Sequence, residues 1–141
     1  MFAKLTVSIL TILVLMRCSY ADHVTATGKF VCGRTPAKGA KIVLVERDTL
    51  FNDKLNTVFA DASGEFEVSG AQDEWLGPDF ALEIYHDCND LGYPCQRRID
   101  INIPKKYHDK GVFDVGTMNL EAEMAGESRD CFNHHHKHHH H

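Results

Sequence analysis

The chain reads mainly in twos. From Phe80 to Asp87, Phe80, Leu82 and Ile84 alternate with Ala81, Glu83 and Tyr85, and from Arg97 onward Ile99, Ile101 and Ile103 alternate with Arg98, Asp100 and Asn102. Phe66 and Val68 alternate with Glu65, Glu67 and Ser69. Such alternation predicts half-buried antiparallel strands with one wet face. Ile42 to Val45 is apolar on both faces, which suits a more central strand. Weaker strand patterns run over Val24–Cys32, Leu55–Ala60 and Val112–Leu120. Gly33 to Gly39 and Asp61-Ala-Ser-Gly64 supply the turns between strands. Gln72 to Gly77 has room for one helical turn, which Gly77-Pro78 ends. About seven to eight short antiparallel strands, with at most one short helix and no internal linker, predict a single all-β domain. The spacing implies a β-sandwich or open barrel.

Composition adds boundaries to this pattern. Of 141 residues, 43% are hydrophobic and 9% aromatic, enough for a packed core and too much for a disordered chain. Residues 1–21 begin with Lys4, continue with the uncharged run Leu5–Met16 and end Ser19-Tyr20-Ala21. This is the pattern of a secretory signal peptide cleaved before Asp22. The 12-residue run is too short for a membrane span of about 20 residues, and a lipoprotein anchored at Cys18 is the weaker rival. Residues 133–141 hold seven histidines and read as a purification tag. Residues 22–132 are therefore the expected domain, secreted and extracellular. Without the two ends, the formal net charge of −5 becomes −8, from 12 Lys and Arg against 20 Asp and Glu. So acidic a domain is not expected to bind nucleic acid.

Removing Cys18 with the leader leaves Cys32, Cys88, Cys95 and Cys131. An even number in a small secreted domain implies disulfides, with three possible connectivities. The favoured pairing is Cys88–Cys95, across a compact loop containing Gly92 and Pro94, with Cys32–Cys131 tying the tail to the first strand. The rival is a metal site on His86, Cys88 and Cys95, for which no fourth ligand is evident.

The ordered motifs resemble a family. Val24-x-Ala-x-Gly28-x-Phe30-x-Cys32, then Pro36-Ala37 and Ala40–Val45, resembles the opening of the transthyretin-like proteins of nematodes. So do Asp61-Ala-Ser-Gly64-Glu-Phe66 with Gly70, Leu82-Glu-Ile84-Tyr-His86-Asp-Cys88, and the later Cys95, Ile103-Pro104, Tyr107, Val115-Gly116 and Leu120. The resemblance spans Val24 to Leu120 and implies a secreted transthyretin-like β-sandwich. It also implies an extracellular binding protein. At least one secreted member bridges phosphatidylserine on dying cells to an engulfment receptor on the phagocyte.

That role requires an anionic lipid to meet an acidic protein, so a local patch matters. Between Arg97 and Lys110, five basic residues stand against Asp100 and Asp109, a local net of +3. Arg98, Lys105, Lys106 and Lys110 are the lipid-binding candidates, each worth about 1 kcal/mol near an anionic surface. Tyr107 joins them as an amphipathic contact at headgroup level. The plainer reading is a solvated face. The acidic faces around Glu65, Glu67, Glu83 and Asp87 are available to a receptor.

Other readings are weaker. Transthyretin-related hydroxyisourate hydrolases use histidines, an arginine and a C-terminal Tyr-Arg-Gly-Ser, which is absent here, where the last core strand passes into an acidic tail. His23 lies at the mature N-terminus, His86 continues an inward strand face, and His108 sits in a charged loop. No known catalytic motif appears, so a non-enzymatic protein with no cofactor and no resident metal is expected. A carrier of a small hydrophobic ligand is the main alternative. It requires a tetramer channel, whereas proline and charge at strand ends lean toward a monomer or weak dimer. Calcium held by Asp48, Asp53 and Asp61, or by Asp87 and Asp90, is a minor possibility, without EF-hand spacing.

Overall fold

The computed structural model describes residues 21–74 and 76–132. The leader and the histidine-rich tail lie outside the described residues. Nine strands run in chain order: β1 (Asp22–Cys32), β2 (Thr35–Pro36), β3 (Lys41–Arg47), β4 (Asn52–Phe59), β5 (Glu65–Gln72), β6 (Phe80–His86), β7 (Gln96–Asn102), β8 (Phe113–Asn119) and β9 (Ser128–Asp130). One sheet has β1 at its centre, with β5 and β2 along one side and β8 pairing it as well; the other has the order β4-β3-β6-β7-β9. All seven predicted strands are present, and the all-β sandwich is as expected.

The core follows from the alternation. Val24, Ala26 and Phe30 from β1 meet Ile42, Leu44, Leu82, Ile84 and Ile99 from the opposite sheet, with Phe66, Val68 and Phe80 closing the sides. Gly28 continues the inward row of β1, and a Cβ there would stand 2.3 Å from a Val115 methyl and 2.8 Å from the Phe66 ring. The turn after β4 works as its sequence suggests. Asp61 Oδ1 accepts the N–H groups of Ser63 and Glu65, and Gly64 takes φ +82 in a place where a Cβ would strike the Phe30 carbonyl.

Three expectations are corrected and one strand is added. β8 pairs with β1 in parallel, not antiparallel, because residues 103–112 carry the chain from the β7 edge across to the other sheet. β6 has no wet face: all seven of its residues are buried. It lies between β3 and β7, and its outer side carries a second apolar cluster of Val43, Val45, Ala81 and Tyr85. Around Gln72–Gly77 the described residues form a loop, closed by the Gly77 N–H to the Glu74 carbonyl, with no helical turn. The tail also carries a strand that the sequence pattern does not predict, Ser128–Asp130, which forms β9 against β7.

The disulfide pairing is also corrected. Cys32 bonds Cys88, and Cys95 bonds Cys131. The favoured Cys88–Cys95 loop does not form because the two cysteines flank different sheet elements. Cys88 follows β6 and reaches across to the end of β1, whereas Cys95 precedes β7 and faces the end of β9. Between the two bridges lies Arg97, only 4% exposed. Its guanidinium donates to the carbonyls of Cys88 (2.7 Å), Leu120 (2.8 Å) and Ala122 (3.0 Å), and to both carboxylate oxygens of Glu127.

Peptide mapping of the non-reduced protein is expected to recover Cys32–Cys88 and Cys95–Cys131 fragments and no Cys88–Cys95 fragment. Each bridge closes a long loop, of 56 and 36 residues in separation, so its removal should cost about 4 kcal/mol in the chain-entropy model. Arg97→Met, which strands the Glu127 carboxylate and three carbonyls, should cost about 3–5 kcal/mol in urea unfolding at pH 7. Glu127→Gln should cost less, because the guanidinium keeps its carbonyl partners.

Candidate functional site

The strand directions gather three connections at one end of the sandwich. β3 ends and β4 starts there (Arg47 pairs Asn52), β6 starts beside the end of β3 (Glu46 pairs Phe80), and β7 ends beside the start of β6 (Ala81 pairs Asn102). The 48–51 turn, the 73–79 loop and the 103–112 connection therefore lie together. They are stitched by Arg47 N–H to the Asp79 carbonyl (2.8 Å), Asp109 N–H to the His23 carbonyl (2.7 Å) and the Lys105–Asp79 ion pair (3.2 Å).

These connections expose apolar side chains. Leu50 is 78% exposed, Phe51 77%, Leu76 87% and Val112 47%. Beside them stand the exposed lysines Lys105, Lys106 and Lys110. Lys105–Tyr107 is a short 3-10 turn, and the Lys106 ammonium lies 5.1 Å from the centre of the Tyr107 ring. Tyr107 itself is half-buried, packed on the core and against Phe113 at 5.2 Å. It anchors the turn from below, with its ring held inward. Large apolar side chains are exposed elsewhere too: Leu91 and Tyr93 stand on the opposite loop, among Asp87 and Asp90 rather than lysines.

Two arginines of the predicted basic run do not join this end. Arg97 is buried as described, because the period-two register places it on the inward face with Ile99. Arg98 lies on the outer face of its sheet, bonded to Glu83 (2.7 Å) and Asp100 (2.8 Å) and stacked near the Tyr85 ring. Four strand residues, about 13 Å at ~3.3 Å each, follow it before β7 ends at Asn102. Glu83 is correspondingly not part of a wet acidic face. It is buried and accepts the Tyr85 hydroxyl at 2.7 Å, which, with burial the larger cause, pushes the phenol well above its ordinary range. Glu65, Glu67 and Asp87 are exposed, as expected. Glu65 and Glu67 line a groove of about 680 Å³ with Asp61, Asp114 and Lys29.

The histidines divide between the ends. His23 is exposed at the start of β1. His108 is tucked edge-on against Phe80 at 4.8 Å, with Nδ1 3.8 Å from Asp22. His86 lies at the opposite end, 3% exposed, where the Cys88 N–H donates to its Nδ1 at 3.2 Å. Burial first, and then the Arg97 cation, push its pKa down to about 4. The apolar tips were missed because alternation assigns residues to strands and passes over turns. The signal was there in Asp48-Thr-Leu-Phe51 and in Leu76 before Gly77-Pro78, apolar residues set among turn formers.

Residues 27–104 match the family model described as the Transthyretin-like family. The chain belongs to the transthyretin-like family. Similar relatives, all from Caenorhabditis elegans, include Transthyretin-like protein 2, 37% identical over 75% of this chain and 80% of that protein. Transthyretin-like protein 5 is 35% identical over 89% and 99%, and Transthyretin-like protein 33 is 38% identical over 75% and 79%. Part of a 9R-lipoxygenase crystal structure from Cyanothece PCC8801 superposes on 70% of this chain and 16% of that one. Its identity is 17% and its TM-score 0.45, which carries no argument. In the transthyretin-like chain, no group of three or more His, Cys, Asp and Glu suited to a metal occurs among the described residues.

The depressed His86 pKa has a consequence for stability. The unfolded chain takes up a proton on this ring near pH 6.5, and the folded one only near 4. The neutral ring thus contributes its full stabilisation above 6.5 and loses it as pH falls to 4, a change of about 3 kcal/mol. Urea unfolding across pH 7.5 to 4.5 should show this decline. His86→Leu should flatten it, whatever its effect on absolute stability.

Proposed function

We propose that this protein is a secreted, non-enzymatic bridging protein. Its loop end recognises phosphatidylserine on apoptotic cells, and another face meets a phagocyte engulfment receptor. The observation that carries the reading is the coincidence of Leu50, Phe51, Leu76 and Val112 with Lys105, Lys106 and Lys110 at one end of a disulfide-stapled sandwich. Exposed apolar tips beside a connection carrying three lysines suit the boundary between headgroups and acyl chains. Full burial of a Leu or Phe side chain is worth about 1.5–3 kcal/mol, and each lysine near the surface about 1 kcal/mol. Insertion of the tips therefore supplies most of the affinity, and the lysines supply the preference for anionic lipid. The groove along Glu65 and Glu67 offers a basic receptor surface a partner of opposite charge.

The test is co-sedimentation with vesicles with and without phosphatidylserine, repeated with calcium chelated. Leu50→Ser with Phe51→Ser is expected to weaken capture more than about tenfold. Lys105→Ala, Lys106→Ala and Lys110→Ala together should abolish the preference for phosphatidylserine while leaving weak binding, and Arg98→Ala should change neither. Equal capture of wild type and tip variant would exclude this end, and loss of binding on chelation would assign the contact to a bridging cation.

A further inference from the structure

The β6–β7 connection, residues 87–95, is tied at both ends by covalent bridges. Cys88 is bonded to Cys32 at the end of β1, and Cys95 to Cys131 just beyond β9. Between them Asp90 closes a turn: its carboxylate accepts the Gly92 N–H at 2.9 Å, and its carbonyl the Tyr93 N–H at 3.3 Å. What this scaffold presents is apolar. Leu91 is 81% exposed and Tyr93 58%, with Pro94 exposed beside them. The Arg129 guanidinium lies 4.6 Å from the centre of the Tyr93 ring and donates to the Cys95 carbonyl at 3.1 Å, which holds the ring in place. Leu91 adopts φ +60, a left-handed conformation that suits glycine or asparagine and is strained for leucine. A leucine that strains the backbone and leaves its side chain in solvent brings folding no benefit. Contact with something outside the domain accounts for it.

Leu91 also lines a cleft of about 420 Å³ between the loop and the 121–129 segment. Glu121, Glu123 and Glu127 stand there against Arg97 and Arg129, and the loop adds Asp87 and Asp90 and no basic residue. Glu127 is paired with Arg97, whereas Glu121 and Glu123 are exposed. The complement of an apolar projection beside carboxylates is an apolar side chain next to a basic one. We propose that this loop is a docking site for a protein segment that sets an apolar side chain on Leu91 and Tyr93 and an arginine or lysine against Glu121 and Glu123. The bridges and the turn already fix the loop, so docking costs it little conformational freedom. The surface lies at the end opposite the Leu50–Phe51 tips and does not include the Glu65–Glu67 groove, so vesicle capture by the tips does not bear on it.

The probe is a library of short random peptides displayed on phage, selected on the folded protein with its disulfides intact and counter-selected on a Leu91→Asn variant. Enriched peptides should combine an apolar residue with arginine or lysine. Leu91→Asn should keep the native NMR spectrum and unfold at no lower urea concentration than wild type, while the selected peptides, made synthetically, bind it about tenfold more weakly. Glu121→Gln with Glu123→Gln should weaken them about tenfold at low salt and less at high salt. Glu65→Gln with Glu67→Gln should leave their binding unchanged. The proposal is overturned if no peptide survives counter-selection, if the survivors lack basic residues, or if Leu91→Asn is less stable than wild type. Competition by phosphatidylserine vesicles for the bound peptides would give the loop to lipid instead. A concentration-dependent dimer that Leu91→Asn abolishes would give it to a second copy of the chain, and either result would also overturn the proposal.

Discussion

One guanidinium holds the closed end of this domain together. Arg97 has five N–H donors, and the structure supplies five acceptors: three main-chain carbonyls and both oxygens of Glu127. Burying a cation costs several kcal/mol, and only complete pairing offsets it. The carbonyls belong to residues 88, 120 and 122, so the single side chain joins the β6–β7 connection to the segment leaving β8. Glu127 adds the approach to β9.

A closed end of this kind leaves the other end free to vary. There strands of both sheets finish, and the connections are held by hydrogen bonds, such as the reciprocal pair between Asp109 and His23, rather than by covalent bridges. Glu46 marks the transition. It is buried beneath the Asp79 segment, one carboxylate oxygen has no partner, and burial raises its pKa above the ordinary carboxylate range. The transthyretin-like sandwich thus carries a disulfide-bridged end and an end with exposed apolar side chains.

Much of the fold was legible because alternation is a direct consequence of a two-layer sheet. Phe80, Leu82 and Ile84 face the core because successive side chains point to opposite sides. That rule also places Arg97 inward with Ile99, and here counting charges misled, since a sum over Arg97–Lys110 ignores the face on which each residue lies. The outer face of β6 was misread for a related reason. Glu83 and Tyr85 look solvent-facing in one dimension, but Arg98 from β7 and Val43 and Val45 from β3 cover that side. β9 was invisible because its three residues have no periodicity and its pairing depends on Arg97 and Cys131. The tips were invisible because turns are read for glycine and proline, while Leu50, Phe51 and Leu76 owe their exposure to where the strands end.

The acidic character of the domain remains to be set against an anionic surface. A net charge of −8 opposes approach only through groups within about a Debye length of the membrane, roughly 8 Å in physiological salt. If the tips touch the surface, the carboxylates of Glu65, Glu67 and Asp87, toward the far ends of their strands, lie outside that range and are screened. Those close by include the exposed Asp48, Asp73, Asp79 and Asp109: Asp79 pairs Lys105, whereas the His23 N–H on Asp109 and the Thr49 hydroxyl on Asp48 leave those carboxylates charged. The balance at the interface is then between a few residual charges worth about 1 kcal/mol each and apolar side chains worth more each. The sum over the whole chain is the wrong quantity. What decides contact with a membrane is which residues the strand ends bring to the surface, and at this end the apolar Leu50, Phe51, Leu76 and Val112 stand among lysines and aspartates.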